Sequence, residues 1–321
     1  MLVNGIKIVF GGAGFISGHT VADVGEWLKT LEELGIDTID TAEIYGASEE
    51  QLGQAGAASR FTIDTKAASG FGDTPATKEV VIKAGEASLQ KLKTDAVDVY
   101  YLHAPDRRVP WKETLAGVNE LYKRGAFKRL GLSNFLGPEI TEVVRVAKEN
   151  NFVVPTVYQG NYSAVARRTE REILPALLLN NIRFYAYSPI AGGFLSKSRE
   201  ELSDPEGRFG DDKNPLAKLY NGMYNRPSLV TALDVWGEIA HYEGISRAEL
   251  AYRWVVYHSI MAKCSTEAIV VGARKPEQLR ETVAAMKKGP LSGSAVTGIQ
   301  RVWESVRTEA LLDNFQHLET A

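Results

Sequence analysis

The chain has 321 residues, 44% of them hydrophobic and 24% charged, a composition able to bury a large core. A net charge of −3 gives no electrostatic case for nucleic acid or an anionic membrane, and no apolar run approaches the roughly 20 residues of a membrane span. The single cysteine, Cys264, excludes an internal disulfide and any CxxC site; with no basic leader after Met1, the expectation is a cytoplasmic protein without a metal.

In chain order, residues 6–10 (Ile-Lys-Ile-Val-Phe) read as a strand, followed by the glycine-rich turn 11–18. A helix near 20–34 comes next, with Val21, Val24, Leu28 and Leu31 at helical spacing and Gly35 as its stop. The alternation repeats. Strands are expected near 37–40, 61–66, 96–103, 129–133, 155–159, 183–187 and 268–271. Helices are expected near 48–56 (with Ser48 as its cap), 77–92, 111–124, 138–149, 168–180, 228–243, 246–258 and 276–287. Eight strands alternating with helices predict a parallel sheet, closed or open. Residues 188–227, rich in Gly, Pro, Asp and Asn, are too long for a plain connection and read as a functional loop. Residues 295–317 read as one extra helix, striped by Val296, Ile299, Val302, Trp303, Val306, Ala310 and Leu311. No linker composition divides the chain, so residues 1–321 are expected to form a single domain.

The turn Gly11-Gly12-Ala13-Gly14-Phe15-Ile16-Ser17-Gly18 invites a different reading. After a strand and before a helix, it has the spacing of a dinucleotide-binding turn in a short-chain dehydrogenase acting on nucleotide sugars. That chemistry needs a tyrosine followed four residues later by lysine, and no tyrosine here has one. The favoured reading is a glycine-rich loop lining a pocket mouth.

Polar residues recur where the strands end. Asp40 closes the second strand, Lys66 the third and His103 the fourth, while Ser133-Asn134, Gln159, Tyr187-Ser188 and Gly272 close the fifth to eighth. Such a series at carboxyl ends is the pattern of a barrel active site. Tyr45, five residues beyond Asp40, adds a proton donor, and a lysine held by a carboxylate should draw its pKa of about 10 downward. A neutral histidine beside it could orient a carbonyl oxygen. Asp40, Tyr45, Lys66 and His103 thus form a carbonyl-reduction set that needs a hydride-carrying cofactor.

The segments 40–53, Lys66, 98–106 (DVYYLHAPD), 131–135 (GLSNF), 156–162 (TVYQGNY), 184–197 (FYAYSPIAGGFLSK) and 270–284 resemble the aldo-keto reductase superfamily. The chain is most similar to its aflatoxin-aldehyde-reductase branch, through YLHAPD, PTVYQG, AGG-L and EGRFG. The resemblance implies an α/β protein with a (β/α)8 TIM barrel, NADP(H), a small carbonyl substrate, and the tetrad Asp40, Tyr45, Lys66 and His103. It also implies that Ser133, Asn134 and Gln159 hold the nicotinamide amide and that Tyr187 stacks on its ring. Ser188-Pro189-Ile190-Ala191-Gly192-Gly193-Phe194-Leu195-Ser196-Lys197, joined by Arg208, would wrap the pyrophosphate. Gly272, Ala273, Arg274, Lys275, Gln278 and Arg280 would hold the adenosine end.

Phe15, Trp111, Tyr220, Tyr224 and Arg226 are the candidate substrate walls, with His103. Asn221-Gly222-Met223 stands where the branch carries arginines, which implies neutral carbonyl substrates rather than acidic semialdehydes. The other functional class within the resemblance is an NADP-binding regulatory subunit of the potassium-channel β-subunit type, and the basic or extended N-terminal arm that would favour it is not seen.

Overall fold

The computed structural model describes residues 1–16, 20–202, 209, 215–263 and 267–320. Its strands are β1 (Leu2–Val3), β2 (Ile6–Gly11), β3 (Thr38–Asp40), β4 (Thr62–Ala67), β5 (Val97–Leu102), β6 (Phe127–Ser133), β7 (Pro155–Asn161), β8 (Arg183–Tyr187) and β9 (Ala268–Val271). β1 folds back antiparallel on β2. From β2 to β9 each strand pairs in parallel with the next, and β9 returns to β2 through Ile8↔Ile269 and Phe10↔Val271. The sheet is therefore a closed eight-stranded barrel, and the open dinucleotide-binding sheet is excluded.

Alternation along the strands builds two cores. Val9, Val99, Tyr101, Val157, Tyr185, Ala268 and Val270 point inward and fill the barrel. Their neighbours, such as Ile8, Phe10, Tyr100, Leu102, Leu130 and Leu132, point outward into a larger layer beneath the helices. Such a barrel is a packed core rather than a pore. The helices begin where the sequence supplies caps. Thr20, Thr77, Ser246 and Ser292 each accept a backbone N–H from the first turn, and Gly35 ends the Val21–Leu34 helix at φ 70°.

Four expectations need correction. Ser48 does not cap its helix; its buried hydroxyl bonds Thr41 Oγ1 and the Gly12 carbonyl, and Ala47 is the cap residue. The helix expected at 168–180 breaks at Ile173 into Thr169–Glu172 and Leu174–Leu179, because Pro175 cannot donate to the preceding turn. The 188–227 segment is not a plain loop, since it carries a 3-10 stretch at Ala191–Ser196 and helices at Arg199–Leu202 and Pro215–Tyr224. The helix expected at 295–317 runs only from Gly293 to Val306. The chain then turns, and a second helix, Asn314–Thr320, starts where Asp313 Oδ1 accepts the Gln316 N–H at 2.8 Å. Arg167, lying over the rings of Trp254 (5.2 Å) and Trp303 (5.5 Å), ties the first of these two helices to the barrel wall.

Candidate active site

The expected strand-end residues share one rim. Asp40 ends β3, Lys66 lies one residue inside the end of β4, and His103 follows β5. Ser133 ends β6, Gln159 lies in β7 and Tyr187 ends β8. Parallel pairing carries this alignment from strand to strand, with Ser133 opposite Gln159 and Asn161 opposite Tyr187. The Thr41–Ala47 loop stays in place because Thr41 and Glu43 N–H groups continue the ladder onto the carbonyls of Asp64 and Lys66. That puts Tyr45 over the rim.

Lys66 is completely buried and Asp40 nearly so, with Nζ donating to Asp40 Oδ2 at 2.6 Å and to the Thr41 carbonyl at 2.8 Å. The other carboxylate oxygen of Asp40 accepts from Gln159 Nε2 at 2.8 Å. Lys66 Nζ lies 5.2 Å from the centroid of the Tyr45 ring, and the His103 ring meets Tyr45 edge-on at 5.6 Å and 76°. Burial, with the charge of Lys66 behind it, holds the His103 pKa well below the ordinary imidazole range, so the ring is neutral. The expectation for Tyr45 is reversed. Burial first, then the Asp40 carboxylate and Tyr220, push its pKa well above that of a free phenol. Lys66 does not bring it down because its charge is directed at Asp40 and at the face of the phenol ring. Tyr45 is a protonated phenol across the working range, fit to give a proton.

Asp64, inside the barrel below this set, is 1% exposed and accepts only the Val99 N–H among the described residues. Burial, helped by the carboxylates of Asp40 and Asp98, pushes its pKa up to about 7 from the usual 3.8. The folded state therefore binds more protons than the unfolded state between those values, and stability falls as pH rises through that window. Asp64→Asn keeps a neutral acceptor for Val99 at every pH. It is expected to gain on the wild type by roughly 1.4 kcal/mol per pH unit between about pH 4 and 7. His103 contributes with the opposite sign, its stabilisation being lost as pH falls below the unfolded value of 6.5, but it is common to both proteins. Denaturation of the pair at several pH values checks this, and a difference that ignores pH would refute it.

The other anticipated residues divide into those at the rim and those that are engaged elsewhere. Asn134, at φ 60°, donates to the His103 carbonyl (2.9 Å) and Ser133 Oγ (3.2 Å), and it accepts from the Tyr187 hydroxyl (2.8 Å). Ser188, Ala191, Gly192 and Gly193 all have left-handed backbone, Gly193 at φ 106°, and Tyr220 packs against Gly192 where a side chain would stand. Arg274 and Lys275 are exposed, with Lys275 at the cap of the Pro276–Met286 helix. Gln278 accepts the Arg274 N–H at 2.9 Å, and Arg280 pairs with Glu33 at 2.7 Å on the first long helix. Tyr224 is buried, bonded to Asn161 and stacked on Phe194, so it backs the site instead of lining it. Trp111 tilts against Phe135, and Arg226 donates to the Gly222 carbonyl. Arg208 and the side chain of Phe15 lie outside the described residues.

Sequence reading missed the C-terminal segment. Phe315 meets Phe71 edge-on at 5.1 Å, Asn314 accepts from Tyr187 at 3.2 Å, and His317 fills the space above Gly222 that a side chain there would need. The stretch 221–223 is thus a seat for the chain's own tail. The one available signal was Asp313 three residues before Gln316, a helix-start spacing.

The family model for the aldo/keto reductase family matches residues 7–304. The chain belongs to the aldo/keto reductase family. Among its curated relatives, oxidoreductase sirO of Leptosphaeria maculans is 38% identical over 94% of this chain and 95% of its own length. Aldo-keto reductase family 7 member A3 of Homo sapiens is 35% identical, covering 88% of each chain. Aflatoxin B1 aldehyde reductase member 4 of Homo sapiens is 34% identical over 86% of this chain and 87% of its own. This aldo/keto reductase is accordingly an oxidoreductase whose family acts on small carbonyl compounds, and the resemblance to the aflatoxin-aldehyde-reductase branch holds. No helix among the described residues is long and apolar enough to cross a membrane.

Proposed function

We propose that this protein reduces a neutral aldehyde or ketone to the alcohol with NADPH, Tyr45 being the proton donor. The observation that carries the reading is the buried Asp40–Lys66 pair set against the Tyr45 ring, with a neutral His103 edge-on to it. Tyr45 delivers its proton to the carbonyl oxygen and is reprotonated from solvent before the next turnover. His103 Nδ1 is buried without a partner among the described residues. An unpaired acceptor is less costly there than an unpaired N–H, so the proton sits on Nε2, which can donate to the same oxygen. Asp40, itself held by Gln159, keeps Lys66 in place. When bound, a reduced nicotinamide nucleotide supplies the hydride, since no side chain stores one.

The residues fit that nucleotide. Left-handed backbone at Ser188, Ala191, Gly192 and Gly193 coils the chain tightly just beyond β8, with small residues where a pyrophosphate would approach. Gly272, with open space where a Cβ would stand, lets a ligand approach the end of β9. Arg274 and Lys275 supply two exposed cations for a 2′-phosphate, and charge-assisted hydrogen bonds of this kind are each worth about 1.5–3 kcal/mol. Ser133, Asn134 and Gln159 would meet the nicotinamide amide and Tyr187 its ring. A cytoplasmic setting accords with this reading.

The test is oxidation of NADPH and NADH against neutral aromatic aldehydes and succinic semialdehyde. NADPH and the neutral aldehydes are expected to give the higher kcat/KM, and Arg274→Ala is expected to narrow the NADPH preference by roughly tenfold or more. Cofactor binding with no turnover of any carbonyl would favour the regulatory-subunit reading instead.

A further inference from the structure

Among the described residues, no hydrogen bond from Nδ1 aims the imidazole of His103. That nitrogen is buried and unpartnered among the described residues, and the bonds at this position belong to the backbone, through Ala67 and Asn134. What confines the ring is aromatic. Tyr45 meets it at 5.6 Å and 76°, and Phe71 lies closer, at 5.0 Å and 77°. Phe71 sits on the short Ser69–Phe71 turn after β4. That turn is pressed so closely on the next loop that a side chain at Gly70 would lie 2.3 Å from the Pro105 carbonyl oxygen.

Phe71 is itself backed. Phe315 meets it at 5.1 Å and 83°, making three successive rings, each close to perpendicular to the next. Phe315 is 5% exposed and held from several directions. The Arg107 guanidinium lies 5.7 Å over its ring, and Gln316 Nε2 donates to the Asn134 carbonyl at 3.0 Å.

We propose that Phe71 is a positioning residue for His103, and that the C-terminal segment reaches the reaction site through Phe315 behind it. The proposal rests on the reading that His103 works at the carbonyl oxygen. Without the Phe71 edge the imidazole gains rotational freedom, and water reaches Nδ1. Misplacement of such a group by about 1 Å can cost on the order of 10²-fold in rate. Solvation would also relieve the burial that keeps the ring neutral beside Lys66, the phenol of Tyr45 being uncharged.

The experiment uses the full chain and two readouts: kcat with NADPH, and imidazole 15N–1H spectra titrated with acid, the His103 signals being assigned with His103→Gln. In Phe71→Ala, kcat is expected to fall roughly ten- to a hundredfold with NADPH affinity within about twofold. The His103 signals should begin to titrate toward the ordinary imidazole range, whereas in the wild type they stay neutral. Phe71→Tyr, which keeps the ring edge, should restore both readouts, and Phe315→Ala should move both in the same direction by less. Phe315→Ala carries the test alone if Phe71→Ala does not fold. Wild-type kcat and wild-type His103 spectra in Phe71→Ala, or full recovery by Phe71→Leu, would overturn the proposal. A wild type without turnover would refute the functional reading alone, since the spectra still report whether Phe71 sets the ring.

Discussion

Tyr45→Phe is expected to lower kcat for carbonyl reduction by on the order of 10²–10⁴-fold while NADPH binds within about twofold of the wild type. The substitution removes one hydroxyl and keeps the ring that Lys66 and His103 pack against. Loss of activity would therefore report loss of the proton donor, not collapse of the site. Because burial and Asp40 hold the phenol protonated, the wild-type rate should not fall off through Tyr45 ionisation anywhere near neutral pH. Fluorescence titration with NADPH and single-turnover reduction of an aromatic aldehyde separate binding from chemistry. Turnover at the wild-type rate in the variant would move the donor role elsewhere, with His103 first to be examined.

The second large effect is on stability. Lys66→Met or Asp40→Asn should each destabilise the fold by about 3–5 kcal/mol, because either change leaves its partner's charge buried and uncompensated. Lys66 is fully enclosed, and the pair has little water to turn to. Lys66→Met also strips the Thr41 carbonyl of a donor. The double variant Asp40→Asn/Lys66→Met should be clearly more stable than the sum of the singles implies, since no lone charge remains. Chemical denaturation of the four proteins measures the coupling. Single variants within about 1 kcal/mol of the wild type would mean that water reaches this pair and that neither charge is left uncompensated.

Local sequence determined the alternation of elements and hence the barrel. Each strand is a short run of β-branched or aromatic residues bounded by polar or glycine-containing turns, and each long helix announces its apolar stripe and often its cap. Because all eight strands run the same way, a polar residue at the end of such a run has only one rim on which to stand. Asp40, Lys66, His103, Ser133, Gln159 and Tyr187 were legible for that reason. The segment after residue 290 resisted the same reading. The apolar stripe from Val296 to Leu311 continues past Val306, but the helix does not. Leu312 and Phe315 are instead buried beside the mouth of the barrel.

Tertiary structure alone decided which groups face one another. Phe71 and Phe315 are 244 positions apart and meet only because the closed barrel brings the β4 loop and the tail to the same mouth. The engagement of Arg280 by Glu33, the burial of Tyr224 and the use of 221–223 as a seat for His317 have the same origin. So does the direction of the Tyr45 pKa, where proximity of a lysine was readable but its neutralisation by Asp40 and the extent of burial were not. Periodicity and strand ends are properties of neighbours along the chain, whereas desolvation and the partner of a charge depend on what closure of the barrel places across the gap.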